Sequence, residues 1–221
     1  MKAKIAIFCL LSLAPFAQAR PDIVEQQKKV EREYKKMFRS IEHMTVDFDQ
    51  IIYKSLRKRK IARKGIAYFS KPSMFRWDFS DKGQGIEEFY FDGSQLTHFR
   101  EGEKLVTHYK AGTGIASELS EVVDLVLDPV KLFNRYQVEK ITKTKEQDAV
   151  VRLVPRAALS SDIEAIFVTV AGGKGHVKAT KILYMNENYT EFLFSNPRFT
   201  TNPPQLFKFS RKGPFTVRTH G

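Results

Sequence analysis

GIAYFSKPSMFRWDF, residues 65–79, reads as two strands meeting at a proline corner. On one side Ile66 and Tyr68 alternate with smaller residues; on the other Phe75, Trp77 and Phe79 alternate with Arg76 and Asp78. A period of two makes one face of a strand apolar and the other wet. Pro72 cannot donate to a ladder, so it belongs at the start of a strand or at an edge. Trp77, the chain's single tryptophan, stands in the middle of the apolar face. Such a face is either half of a core or the wall of a cavity for something greasy.

Outward from this corner the chain reads mainly as strands. Met44, Val46 and Phe48 alternate with polar neighbours, and Gln50 to Tyr53 continues the run. Ile86 to Phe91, Asp92-Gly93 and Gln95 to Phe99 form a hairpin signal, and Lys104 to Tyr109 follows Glu101-Gly102. Then the period changes. Ile115, Leu119, Val122, Val123 and Val126 share one helical face, and Asp128-Pro129 caps and opens a second short helix carrying Val130 and Phe133. Two amphipathic helices inside a meander must lie across a face or an end of the sheet. Strands resume at 137–141, 149–154, 163–170, 177–184 and 189–199, and Leu206 to Phe209 with a short tail around Phe215 and Val217 completes the chain. The expected total is about eleven strands and three helices. The first helix spans Asp22 to His43, with a stripe of Val30, Tyr34, Met37, Phe38 and Ile41.

Residues 1–19 read as a secretory signal peptide: Lys2 and Lys4, an apolar run from Ile5 to Phe16, and Ala17-Gln18-Ala19 before the cut. Export removes Cys9, the single cysteine, so neither a disulfide nor a thiolate metal site is expected. Residues 20–221 have the size of one all-β domain and show no linker or repeat. Loss of Lys2 and Lys4 lowers the formal charge from +12 to +10. Such a surplus suits acidic partners or anionic headgroups and steers docking in a salt-dependent way. The densest basic cluster, Lys54 to Lys64, reads as the exposed tip of a hairpin. No aromatics interleave with it as nucleic-acid stacking requires, and no nucleic-acid partner is expected.

No catalytic constellation is legible. The five histidines stand far apart; His98 and His108, across one hairpin, make a weak zinc pair. Ser70, Ser73 and Ser94 lack an elbow motif. Gly172-Gly173-Lys174-Gly175 lacks the spacing and the following helix of a phosphate loop and reads as a turn. Neither an enzymatic activity nor a cofactor is expected.

The order of elements resembles a known family. After an export signal and one amphipathic helix come Phe48-Asp49-Gln50, Gly65, Lys71-Pro72 leading into Phe75-Arg76-Trp77, and Phe91-Asp92-Gly93. Two helices follow, then 188–196, NYTEFLFSN, and Phe207-Lys208-Phe209. This is similar to LolA, the periplasmic carrier of outer-membrane lipoproteins. The resemblance implies an incomplete antiparallel β-barrel of about eleven strands with a helical lid over an apolar cavity, acting as a monomer in the periplasm. It implies a carrier that takes acylated lipoproteins from an inner-membrane ATP-driven releasing complex and hands them to an outer-membrane acceptor. Val46, Phe48, Ile66, Tyr68, Phe75, Trp77, Phe89 and Phe91 would line the cavity, and Leu119, Val122 and Val126 would form the lid face. Lys71 stands where relatives place a lid-latching arginine, and it lacks the planar fork. Two other readings stay open: a carrier of free envelope lipid on the same fold, and a non-enzymatic module that senses lipoproteins.

Overall fold

The computed structural model describes residues 21–37, 41–81, 85–112, 114–127, 129–156, 162–172 and 175–220. The expected signal segment 1–19, Phe38, Asp128 and Gly173-Lys174 lie outside them, as do the side chains of Ile115, Val30, Met37 and Val130. A helix, α1 (Pro21–Met37), leads into β1 (His43–Lys54), β2 (Arg59–Ser70), β3 (Met74–Asp81), β4 (Gly85–Phe91), β5 (Gln95–Arg100) and β6 (Leu105–Lys110). Then come α2 (Gly114–Leu127) and α3 (Pro129–Leu132), followed by β7 (Tyr136–Lys143), β8 (Ala149–Pro155), β9 (Ile163–Val170), β10 (Val177–Tyr184) and β11 (Tyr189–Arg198). The last strand is β12 (Thr216–His220).

All twelve strands form one sheet in the order β12-β6-β5-β4-β3-β2-β1-β11-β10-β9-β8-β7. Neighbours are antiparallel except β12, which runs parallel to β6. An ordinarily twisted sheet this wide curls, and this one curls around α2 and α3 without closing, an incomplete barrel with helical elements. The expectation of eleven strands corresponds to β1–β11. Leu206 to Phe209, expected extended, begins within a 3-10 turn at Pro204–Phe207, and the tail supplies β12. No helix among the described residues is long and apolar enough to cross a membrane.

The proline corner sets the register of the central strands. Lys71–Pro72 is a cis peptide, and the turn pairs Ala67 with Trp77, Phe69 with Phe75, and Gly65 with Phe79. Odd-numbered residues of β2 therefore share a face with Phe75, Trp77 and Phe79. Ile66 and Tyr68 lie on the other face, opposite Asp78 and Arg76; Ile66 is exposed and Tyr68 packs near the Arg76 guanidinium. Small Ala67 makes room for the indole across from it.

Gly65 is a second product of that register. A Cβ there would lie 1.8 Å from the backbone oxygen of Asp78 and 3.0 Å from Phe48 Cε1. Neither β2 nor β3 can yield without breaking its ladder. Gly65→Ala is expected to lower stability by about 3 kcal/mol, the upper end for overpacking. Urea denaturation checks it; a midpoint equal to that of the parent protein would refute the close approach. At the next hairpin Gly93 has φ 98°, and Asp92 Oδ1 accepts hydrogen bonds from the amides of Ser94 (2.9 Å) and Gln95 (3.1 Å), an Asx turn.

The outer face of β3–β6 is covered by the segment after β11. Phe209 packs on Tyr90 and Phe99, and Phe215 on Phe99. Asn202, buried, accepts from Thr45 Oγ1 (3.2 Å) and donates to the backbone oxygens of Phe69 (3.1 Å) and Met44 (3.4 Å). Glu88, almost fully buried beneath this strap, receives Arg211 Nη2 (2.7 Å) and Nε (3.0 Å) and the Tyr90 hydroxyl (2.7 Å), with Arg76 Nη2 at 3.5 Å.

Candidate functional site

The concave face begins as an aromatic wall. Trp77, fully buried, has Phe48 at 4.8 Å, Phe192 at 4.9 Å and Phe69 at 5.4 Å between ring centroids, with Phe194 at 6.4 Å. Phe75 stacks on Phe91 at 5.1 Å. These rings stand on β1, β2, β3, β4 and β11 because each strand sends every second residue inward. Of the residues expected to line a cavity, Val46, Phe48, Phe75, Trp77, Phe89 and Phe91 all lie in this continuous buried cluster. Ile66 and Tyr68 do not; the register above turns them outward, and Ala67 and Phe69 take their places. Phe69, Phe192 and Phe194 were missed in the sequence, although Phe192 and Phe194 sit at matching parity in the 188–196 run.

Most of the wall is filled by its own side chains. The open space is a cavity of about 520 Å³ toward one end, lined by Gln50, Ile52, Phe79, Phe89, Ile182 and Phe192 from the sheet and by Leu119 and Val122 from α2. Its mouth is rimmed by Tyr53, Lys54, Met185 and Tyr189. This size suits one small or chain-like apolar ligand. Of the expected wall residues only Phe89 reaches the cavity. Of the expected lid residues, Leu119 and Val122 do, while Val126 is buried in the core beside them.

Gln50, Arg63, Asp162, Asn186, Asn188 and Thr190 bring polar groups to the cavity lining. Gln50 is buried, and its Oε1 has no hydrogen-bond partner among the described residues; the same holds for Trp77 Nε1 and Thr180 Oγ1. Buried polar atoms left this way cost about 1–3 kcal/mol each. At the edge of the cavity Arg63 lies over the Phe79 ring (3.8 Å) and pairs with Glu87, whose Oε1 also accepts from His98 Nε2 at 2.6 Å. Burial pushes the Glu87 carboxyl up, but the His98 hydrogen bond and the Arg63 charge outweigh it and hold it below the ordinary glutamate range. The signal was present in the alternation: Glu87, Phe89 and Phe91 share one parity. His98 and His108 fall on opposite faces, His108 meeting Thr97 Oγ1 at 3.0 Å.

The corner cation points to the chain before β1. Lys71 Nζ lies 3.0 Å from Glu42 Oε1, and its backbone amide donates to the oxygen of Glu42; among the described residues it reaches no carbonyl of α2 or α3. The link between corner and lid runs the other way: Lys131 of α3 reaches the backbone oxygen of Pro72 (3.5 Å) while pairing with Asp124 of α2 (3.3 Å). Just beyond β8, Arg156 donates through Nε to the backbone oxygen of Phe133 (2.8 Å) and through Nη2 to Glu31 of α1 (3.2 Å). Its fork thus ties the residue after α3 to α1. Sequence periodicity carries no trace of such a long-range contact.

A family model described as outer membrane lipoprotein carrier protein LolA matches residues 39–210. No curated protein matches the sequence. Among solved structures, an uncharacterized conserved protein from Thermus thermophilus superposes with a TM-score of 0.56 at 10% identity, over 86% of this chain and 99% of that one. A LolA superfamily protein from Nitrosomonas europaea gives 0.47 at 5% identity, over 83% and 97% of the two chains. An outer membrane lipoprotein-sorting protein domain from Vibrio parahaemolyticus gives 0.45 at 10% identity, over 81% and 94%.

Proposed function

Because this chain belongs to the LolA family of outer membrane lipoprotein carriers, we propose that it binds acyl chains of lipoproteins on its concave face and carries them across the periplasm. The observation that supports this is the apolar cavity under α2, continuous with an aromatic wall that its own side chains fill. Each methylene moved from water into such a site gains about 0.8 kcal/mol. The cavity takes one chain as it stands. Further chains enter by displacing α2, whose Leu119 and Val122 are its ceiling, away from the rings around Trp77. Binding and release then need no covalent chemistry.

In this reading residues 1–19 direct export, residues 20–221 act as one carrier domain, and the protein works as a monomer. Cargo arrives from an inner-membrane ATP-driven releasing complex and leaves to an outer-membrane acceptor. Arg156 and Lys131, rather than Lys71, hold the lid.

Native mass spectrometry with a synthetic triacylated lipopeptide and its deacylated form tests the reading. One acylated peptide per chain is expected, with the deacylated form unbound. Leu119→Ser combined with Val122→Ser should weaken binding about tenfold, as burial of apolar side chains is lost. Equal binding of both peptides, or of neither, would sink the proposal. A co-purified phospholipid with indifference to lipopeptide would instead identify a shuttle of free lipid.

A further inference from the structure

The link between β1 and β2 projects beyond the cavity mouth and carries an unusual combination. Residues 54–64 contain seven basic side chains and no acidic one. Arg63 turns inward to Glu87. Lys54, Arg57, Lys58, Arg59, Lys60 and Lys64 are exposed, and none of them has an acidic partner among the described residues. In their midst Leu56 is 96% exposed, the most exposed large apolar side chain among the described residues. Met185, 66% exposed, lies on the adjoining turn between β10 and β11 together with one acid, Glu187.

The tip is held in this posture. Residues 55–57 form one 3-10 turn closed by Lys58, whose φ of 45° lets its amide donate to the Ser55 oxygen at 3.0 Å. Ser55 is tied to the neighbouring turn: its amide donates to Asn188 Oδ1 and its hydroxyl to the Asn186 oxygen, both at 2.8 Å. Behind the tip Tyr53 stacks on Tyr189 at 5.1 Å. From the end inward come the exposed Leu56 flanked in sequence by cations, then the Tyr53–Tyr189 pair, then the cavity that both tyrosines line.

We infer that the β1–β2 tip docks on an anionic phospholipid bilayer, with Leu56 entering the interface, the lysines and arginines meeting headgroup phosphates, and the cavity mouth lying against the lipid surface. A bilayer fits better than an acidic protein because the apolar element is a protruding point rather than a groove or a flat patch. A fluid interface accepts such a point, and polybasic segments bind anionic leaflets with about 1 kcal/mol per charge. Tyrosine is at home at headgroup depth. The docking is independent of the carrier reading, which supplies only its use: the cavity mouth would face the membrane at which cargo is taken up or passed on.

Co-sedimentation of the cargo-free protein with vesicles separates the two. Binding is expected to vesicles of phosphatidylcholine containing one third phosphatidylglycerol, and to be lost with phosphatidylcholine alone or at high salt. Arg57→Gln with Arg59→Gln should weaken it about 25-fold, roughly fivefold per charge, and Leu56→Ser about tenfold. In Leu56→Trp, emission beyond that of Trp77 should shift to the blue on vesicles. Because the tip is exposed, all these variants should unfold at the parent's urea midpoint. Absence of binding, equal binding to neutral vesicles, or parental binding by the Leu56→Ser and arginine variants would overturn the inference, as would salt-sensitive binding to polyglutamate without binding to vesicles. The lipopeptide measurement above decides the carrier reading whatever the vesicles show.

Discussion

Trp77→Ala is expected to lower the unfolding free energy by about 4 kcal/mol, near the top of the range for a single core truncation. The indole is fully buried and stands between Phe48, Phe69, Phe192 and Phe194, each on a strand that cannot move without disturbing its neighbours. The gap left behind therefore stays largely open, and the cavity term adds to the lost transfer energy. No hydrogen bond to a described residue is lost with it, because Trp77 Nε1 has no partner among them. Trp77→Phe should therefore be mild, about 1 kcal/mol, since most of the apolar volume is kept. Urea titration followed by far-ultraviolet circular dichroism distinguishes the two. A Trp77→Ala protein within about 1 kcal/mol of the parent would mean that the wall is not packed as described.

Glu88→Ala is the second large effect, expected at about 3 kcal/mol. Its carboxylate lies under the strap and is the common acceptor for Arg211, Arg76 and the Tyr90 hydroxyl. Removing it leaves the half-buried Arg76 with Asp78 alone (2.7 Å) and frees the strap. Arg211→Ala should cost only about 1 kcal/mol, because that guanidinium is partly exposed and water replaces its contacts. Hydrogen exchange over residues 199–215 should rise in both variants, more in Glu88→Ala. Equal losses for the two variants would place the anchor on Arg211 and not on the buried acid.

The half-barrel was legible because its cause is local. Alternation of inward and outward residues, Asp92-Gly93, and the change of period at Ile115 each follow from the chain's immediate neighbours. What was misread depends on pairing across a turn. Ile66 and Tyr68 are as apolar as Ala67 and Phe69, so hydrophobicity cannot decide which pair faces Trp77; the three-residue corner at 71–73 decides it. Within the strap Phe207 and Phe209 alternate as strand residues do, and only a sheet already in place shows that Phe209 belongs on its back. The bond from Arg156 to the Phe133 oxygen joins residues 23 apart in sequence, which no local pattern marks. Charge reading found the tip, but not that its leucine would have nothing to pack on.

The strand order leaves two ends, β12 and β7. Exposed backbone at a sheet edge is a template on which a second chain can grow, and a carrier meets its own copies as well as its cargo. Here β7 puts Glu139, Lys140 and Lys143 on its exposed positions and breaks its ladder between Val138 and Lys140, while β12 is short, exposed throughout and carries Arg218. Charge, irregularity and brevity are the devices that discourage edge-to-edge polymerisation. On a half-barrel open at its seam they work against a second copy closing it.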